Sequence, residues 1–411
     1  MNNVLLHSDS QVDKLGQWLN GNGGDGLANA LSDPDAIIPV LKEAGLRGLG
    51  GSGFPAYKKW QFVAEQDANP DKYLICNGNE DEPGTFKDAY LLSNSPHQVI
   101  EGALITALAN NINKIVFYIN PEQKVSLEKI RNAVEQWQTS NFFNQLETAL
   151  EKPLNIRVMA SSGHYIGGEE TAAIESVEGN FPFPRGKPPF PAISGVHGCP
   201  TLINNIETLA NVPHILKNGA PWYQDLGRGD SAGTKIYCLS GDVLKPGVYE
   251  LPMGTPLSEL IYTHGGGMLL DKKIKAVFTG GASSTILTPK DIDVPLDFDS
   301  VKERGSSLGT GAMIVVSEGT GIVKRVTEYI NFYAHSSCGQ CPPCKTGTFY
   351  MSQLLNKIDT GQASQFDLES LINLSKILPG SGRCHLLDGA MHLVDSSLMH
   401  FIDEYKSSLR P

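Results

Sequence analysis

The sequence predicts an α/β protein built on a parallel sheet, followed by a smaller α+β unit and a C-terminal helical bundle. Three patterns carry this. Between residues 72 and 161, short apolar runs alternate with helical stretches, as in a parallel sheet with crossover helices. Around 235–320 the pattern changes to short strands and turns. From 323 onward the chain reads as helices interrupted by turn signals at KTGT, DTGQ and PGSG.

In chain order, DPDAIIPVLKEAG comes first. Ile37, Val40, Leu41 and Ala44 recur at i, i+3, i+4 and i+7, one face of a helix. Asp33 or Asp35 suits its start and Gly45 its end. GLRGLGGSGFP (45–55) follows, with five glycines. Gly48, Gly50 and Gly53 spell G-x-G-x-x-G, a dinucleotide fingerprint that has meaning only after a strand. Here it follows a helix, so the Rossmann reading fails. KYLIC (72–76) reads as a buried strand, 97–111 as a helix, KIVFYIN (114–120) as a strand, 123–138 as a helix and NIRVMAS (155–161) as a strand. Polar runs follow two of these strands, NGNEDEPGTFKD and SSGHYIGGEET, at the ends where parallel sheets bind ligands. Residues 181–200 hold six prolines, too many for a regular element, and predict an ordered loop. KIYCLSG, GVYEL, AVFTGG and AMIVVSE then predict strands, with one helical stretch at 256–264.

The 411 residues carry a formal charge of −11, which argues against nucleic acid and anionic membranes as general partners. No apolar run reaches the about 20 residues of a bilayer crossing. The start, MNNVLLHSDSQV, lacks a basic n-region and a full apolar core. A cytoplasmic protein without membrane insertion is expected. Seven cysteines make a poor disulfide framework; clustered cysteines in a reducing compartment more often hold metal.

SCGQCPPCK is the most specific signal. Cys338, Cys341 and Cys344 stand at C-x2-C-x2-C, with Cys384 forty positions on, a spacing that suits an iron–sulfur cluster. A four-cysteine zinc site would use two C-x2-C pairs, and a redox pair needs neither Cys338 nor Cys384. Cys76, Cys199 and Cys238 stand alone and read as buried structural thiols. In the glycine loop, bare backbone can approach a phosphate, with Lys58 and Lys59 as cations and Phe54, Trp60 and Phe62 as flat surfaces; the plainer reading is a turn and an amphipathic helix. Asn77, Asn79, Glu80, Asp81 and Glu82 crowd a strand end, as a solvated loop or a ligand site. Glu169 and Glu170 suit a helix start or a ribose. Asn204 and Asn205 suit a cap or ligand amides.

Six motifs in order resemble one family: GLRGLGGSGFP…KW, CNGNEDEPGTFKD, YIGGEETA, KPPFPAISGVHGCPTLINNIETLANVP, LSGDVLKPGVYELP and FYAHSSCGQCPPCKTGT. The likeness, from about residue 27 to 405, is to the NADH-binding flavoprotein subunit of respiratory complex I. It extends to the diaphorase subunits of NAD-linked hydrogenases, formate dehydrogenases and electron-bifurcating enzymes. It implies a Rossmann-like FMN- and NADH-binding domain over 1–230, a ubiquitin-like β-grasp domain over 231–322, and a helical bundle over 323–411. A [4Fe–4S] cluster would sit on Cys338, Cys341, Cys344 and Cys384. FMN would be held by Gly48, Gly50, Gly51, Gly53, Lys59, Asn77, Asn79, Glu80, Tyr165, Gly168, Glu169, Asn204 and Asn205. NADH would lie over the flavin, its adenine near Phe54, Phe62 and Phe190. Glu82, Glu169 and Glu170 would stand towards the nicotinamide and ribose, with Glu170 opposing NADPH. No side chain need act as acid or base, because hydride passes between the two cofactors. Electrons would leave to a thioredoxin-like [2Fe–2S] subunit and a larger iron–sulfur subunit.

Two positions depart from the family pattern. Leu49 stands where arginine is usual, and Asn79 where aspartate is usual. Loss of an anion beside the flavin predicts a raised flavin potential. The alternative of another class is an iron–sulfur scaffold whose nucleotide site has decayed.

Overall fold

Four parallel strands form the first sheet: β1 (Tyr73–Gly78), β2 (Lys114–Ile119), β3 (Asn155–Ala160) and β4 (Thr201–Asn205), in the order β3-β2-β1-β4. The computed structural model describes residues 3–6, 12–21, 23–67 and 71–410; the N-terminal stretch read as too short for a leader lies partly outside them. Alternation along each strand sends Leu74, Cys76, Phe117 and Leu202 to one face and Ile75, Val116, Tyr118 and Ile203 to the other. Helices Pro96–Asn110 and Ile206–Asn218 cover the first face, and Glu170–Val177 covers the second. Both faces are thereby buried, as parallel sheets require.

The predicted strands and helices of residues 72–161 are present within a residue or two at their ends. The helix Ile37–Ala44 ends at Gly45 in a left-handed conformation, φ 72°, so the glycine loop does follow a helix. Sequence reading missed β4, whose asparagines disguise it, and the helix Asn141–Leu150. β4 matters because it closes the sheet on the far side of β1. The chain lays β2 and β3 to one side of β1 and returns to place β4 on the other, and such a reversal opens a crevice at the carboxyl ends of the strands. Asn77 and Asn205 are register partners across it.

Residues 181–200 form an ordered loop pinned by Arg185. Its guanidinium donates to Glu175 (2.6 Å), Glu178 (2.7 Å) and the carbonyl of Gly195 (3.1 Å). The second sheet is mixed, in the order β6-β5-β9-β7-β8: β5 (Thr234–Gly241), β6 (Gly247–Pro252), β7 (Ile274–Thr279), β8 (Ile286–Leu287) and β9 (Ala312–Ser317). The stretch predicted helical at 256–264 winds as a π-helical turn over Glu259–His264. Four helices follow, Ile322–Ser336, Pro342–Asp359, Gln365–Ile377 and Leu386–Ser407. They share one apolar core that includes Ile330, Leu355, Leu371 and Met391. Among the described residues, no helix is long and apolar enough to cross a membrane.

Candidate functional site

The crevice beside β1 and β4 opens into a cavity of about 490 Å³, a size typical of cofactor sites. Nine of the residues predicted to bind FMN or NADH line it: Gly50, Asn77, Asn79, Glu80, Glu82, Tyr165, Gly168, Glu169 and Asn205. Asn77 donates from Nδ2 to the carbonyl of Gly168 (2.9 Å), and its Oδ1 accepts from the N–H of Asn79 (3.1 Å). Asn79 Nδ2 donates to Asp81 (2.6 Å) and to the carbonyl of His164 (3.2 Å). Its Oδ1 is buried without a partner. A buried acceptor in a cavity wall costs stability unless something donates to it, so this atom fits a ligand N–H. A Cβ on Gly50 would stand 2.8 Å from the Cβ of Asn205, so only glycine lets the loop lie against β4.

Five of the carboxylates in or beside the cavity differ in what they touch. Glu80, at φ 31°, accepts from the N–H groups of Asp88 (2.6 Å) and Ala89 (2.8 Å) at the start of the helix Lys87–Asn94. Burial, and then Asp88, push its carboxyl up to about 8. Glu82 accepts from the Tyr165 hydroxyl (2.6 Å) and from the N–H of Ala282 in the second sheet's unit (2.8 Å); burial raises it. Glu169 caps the helix Glu170–Val177, accepting from the N–H groups of Thr171 (2.8 Å) and Ala172 (3.0 Å) and from the Thr171 hydroxyl. Glu170 pairs with Lys59 (2.9 Å) and Lys187 (2.5 Å). Burial alone would raise it, but the two lysines outweigh that and hold it at about 2. Asp88 pairs with Lys87 (2.7 Å) and accepts from Asn205 Nδ2 (2.6 Å).

The other predicted ligands stand off the cavity wall. Gly48 and Gly51 lie in the loop behind Gly50. Gly53, φ 61°, faces away: a Cβ there would meet the Phe298 ring of the second unit at 2.5 Å. Lys59 reaches Glu170 and the carbonyl of Ile203 (3.3 Å). Asn204 accepts from the Trp60 indole (3.1 Å), while Asn205 both lines the cavity and caps the helix Ile206–Asn218. Phe54, Phe62 and Phe190 are exposed rings. Leu49 is buried in the second unit's core with Tyr237, Leu239 and Val315, so the loop is anchored by an apolar side chain at that position.

Sequence reasoning missed Lys87, Asp88, Ser283, Thr310, Tyr333, Asp388 and His392, all of which line the cavity. Lys87 and Asp88 close the motif CNGNEDEPGTFKD, where a polar pair opening a helix was the available signal. The others arrive from distant units and had none.

A second, small cavity is walled by Cys338, Cys341, Cys344 and Cys384. Cys341 stands at the N-cap position of the helix Pro342–Asp359 and Cys344 lies in its first turn, where the helix dipole favours thiolates while burial pushes the Cys344 thiol up. The N–H of Arg383 donates to Cys341 Sγ (3.4 Å), and Ser337 Oγ lies 3.3 Å from Cys344 Sγ. Among the described residues, no three His, Cys, Asp or Glu side chains close on a single ion. Four thiols facing one small cavity are the usual donor set of an iron–sulfur cluster, so the residues fit such a group. Ile166, Cys384 and Leu386 line both cavities, which places the two sites wall to wall. Of the isolated cysteines, Cys76 and Cys238 are buried as expected, but Cys199 is partly exposed, because it sits in the proline-rich loop rather than in a core.

Three family models match this chain: the Nuo51 FMN-binding domain over residues 41–214, the SLBB domain over 236–286, and the NADH-ubiquinone oxidoreductase-F iron–sulfur binding region over 324–408. Among solved structures, it is similar to a chain of an NAD+-reducing [NiFe]-hydrogenase in the H2-reduced state. The TM-score is 0.86 at 34% identity, covering 97% of this chain and 66% of that longer one. Among curated proteins, the F subunit of NADH-quinone oxidoreductase from Escherichia coli (strain K12) is 36% identical over 98% of this chain and 92% of the relative. The F 2 subunit of NADH-quinone oxidoreductase from Rhizobium meliloti (strain 1021) is 41% identical over 94% of this chain and 92% of the relative. Identity at that level along nearly the full length of both chains, with the cofactor and cluster regions matched in order, makes this protein a member of the family of NADH-quinone oxidoreductase F subunits.

Proposed function

We infer that this chain is the NADH-oxidising module of a multisubunit oxidoreductase, carrying FMN in the larger cavity and a [4Fe–4S] cluster in the smaller one. The observation that carries the reading is the shared wall: Ile166, Cys384 and Leu386 border both sites. Bound FMN supplies the conversion between a two-electron hydride and single electrons. The chain's own part is positioning. Asn77, Asn79 and Asn205 present amides at the strand ends, and Gly50 lets the loop lie against them. Glu82 and Tyr165 form one hydrogen-bonded edge. Phe54, Phe62 and Phe190 offer exposed faces for an adenine, while Glu170, the residue expected to oppose NADPH, is ionised but paired with Lys59 and Lys187, which offset its charge.

In this reading residues 1–230 form the nucleotide domain, 231–322 a β-grasp domain and 323–411 the cluster-bearing bundle. The partners are a thioredoxin-like [2Fe–2S] subunit and a larger iron–sulfur subunit, through which the chain reaches a membrane surface without entering it. The likeness to the hydrogenase chain supports a second reading, a diaphorase subunit of an NAD-linked hydrogenase. A scaffold with a decayed site is disfavoured by the intact cavity. The test is the visible spectrum of the purified protein: a flavin band that bleaches on addition of NADH is expected. A protein that binds no flavin and ignores NADH would refute the module.

A further inference from the structure

We propose that Asp81 supplies the anionic charge that tunes the flavin in this chain, with Asn79 holding that carboxylate in place. This rests on the FMN reading of the larger cavity.

Asp81 lines that cavity. Each of its oxygens is held by an amide: Oδ2 by Asn79 Nδ2 (2.6 Å) and Oδ1 by Asn120 Nδ2 (2.5 Å). Asn120 Nδ2 is itself fixed against the carbonyl of Asn79 (3.0 Å). Among the described residues, no lysine or arginine pairs with Asp81, whereas Asp88 pairs with Lys87 and both Glu169 and Glu170 pair with Lys187. Amide dipoles fix a carboxylate without cancelling its charge, so its field reaches into a cavity where water does not fully screen it. Asn79 does two things at once. Its amide N–H2 orients Asp81, and its unpartnered Oδ1 stays free for a ligand donor.

The consequence reverses an expectation. Aspartate replaced by asparagine at position 79 removes a charge and by itself raises the potential. Asp81, one hydrogen bond away, puts a charge back. Reduction adds negative charge to a flavin, so a nearby anion opposes it and lowers the potential.

The test uses the full chain with FMN. Dissociation constants of oxidised and reduced FMN are measured for the wild type, Asp81→Asn, Asn79→Asp and the double variant, with the midpoint potential followed by spectroelectrochemistry. Asp81→Asn is expected to favour reduced over oxidised flavin by tenfold, a rise of about 30 mV for a two-electron couple. The double variant, which restores one charge at 79, should return towards the wild-type ratio. An unchanged ratio in Asp81→Asn overturns the proposal while leaving the FMN reading intact. A wild type that binds no FMN overturns both. Because the ratio of constants is read, a variant that binds flavin weakly still decides the matter.

Discussion

At the scale of the residue, Glu80 shows how a carboxyl becomes sensitive to its surroundings. It is buried with Asp88 close by, and the Lys87 charge and the helix N–H groups of Asp88 and Ala89 only partly offset this. Its folded value of about 8 lies above the unfolded one, so folding takes up a proton. Stability contributed by that proton is complete below the unfolded carboxyl range and falls as pH rises towards 8. Glu80→Gln should remove this loss. In urea titrations of the apoprotein, wild-type stability relative to Glu80→Gln is expected to decline between pH 5 and 8, with a slope approaching about 1.4 kcal/mol per pH unit. Parallel curves would exclude a titrating Glu80. The residue types around it were legible in CNGNEDEPGTFKD, but its pairing with a helix start was not, because nothing local announces which N–H groups a carboxylate will meet.

At the scale of the element, the glycine loop and β4 are held from behind by a strand of another sheet. Lys235, on β5 and fully buried, donates to the carbonyl of Leu49 (3.1 Å) and to Glu207 (3.1 Å). Glu207 accepts from the N–H of Ile236 (2.7 Å) and pairs with Lys87 (3.1 Å), which bonds Asn205 (3.1 Å). One buried lysine thus ties the glycine loop, through Glu207 and Lys87, to Asn205, against which the loop lies. Removing one partner of a buried pair costs about 3 kcal/mol or more. Lys235→Met should lower stability by that order in denaturant titrations. It should also weaken FMN binding by tenfold or more, read by quenching of flavin fluorescence. Loss of stability with unchanged affinity would show that β5 does not support the loop. The loop's composition allowed a ligand-facing backbone or a plain turn before an amphipathic helix. Its actual division, with Gly50 facing the cavity, Gly53 facing Phe298 and Leu49 in the second core, depends on a unit nearly two hundred residues away.

At the scale of the whole molecule, three units meet at Tyr165. Its hydroxyl donates to Glu82, which the N–H of Ala282 also reaches. Its ring stands edge-on to Phe332 (5.1 Å) and Tyr333 (6.0 Å) of the C-terminal helices. This junction sets the wall of the cysteine-lined cavity against the larger one. Cys384→Ser is therefore expected to abolish the cluster's EPR signal and to slow NADH-driven reduction of one-electron acceptors by tenfold or more. Bleaching of the flavin by NADH in stopped-flow should persist. If bleaching is lost as well, Cys384 supports the cofactor cavity rather than the relay alone.

The sequence by itself determined the alternation of strands β1 to β3 with helices, the helix before the glycine loop, the cysteine spacing and the asparagine and glutamate motifs at the strand ends. These are local matters, decided by periodicity, turn chemistry and the reach of neighbouring side chains. Only the tertiary structure decided that β4 closes the sheet beside β1, that Lys235 and Leu49 fasten the glycine loop, that Asp81 stands in the larger cavity on two amides, and that Cys384 borders both cavities. The reason is physical. Burial, pairing and charge compensation depend on which distant surfaces close over a group, and a sequence records the groups without recording what covers them.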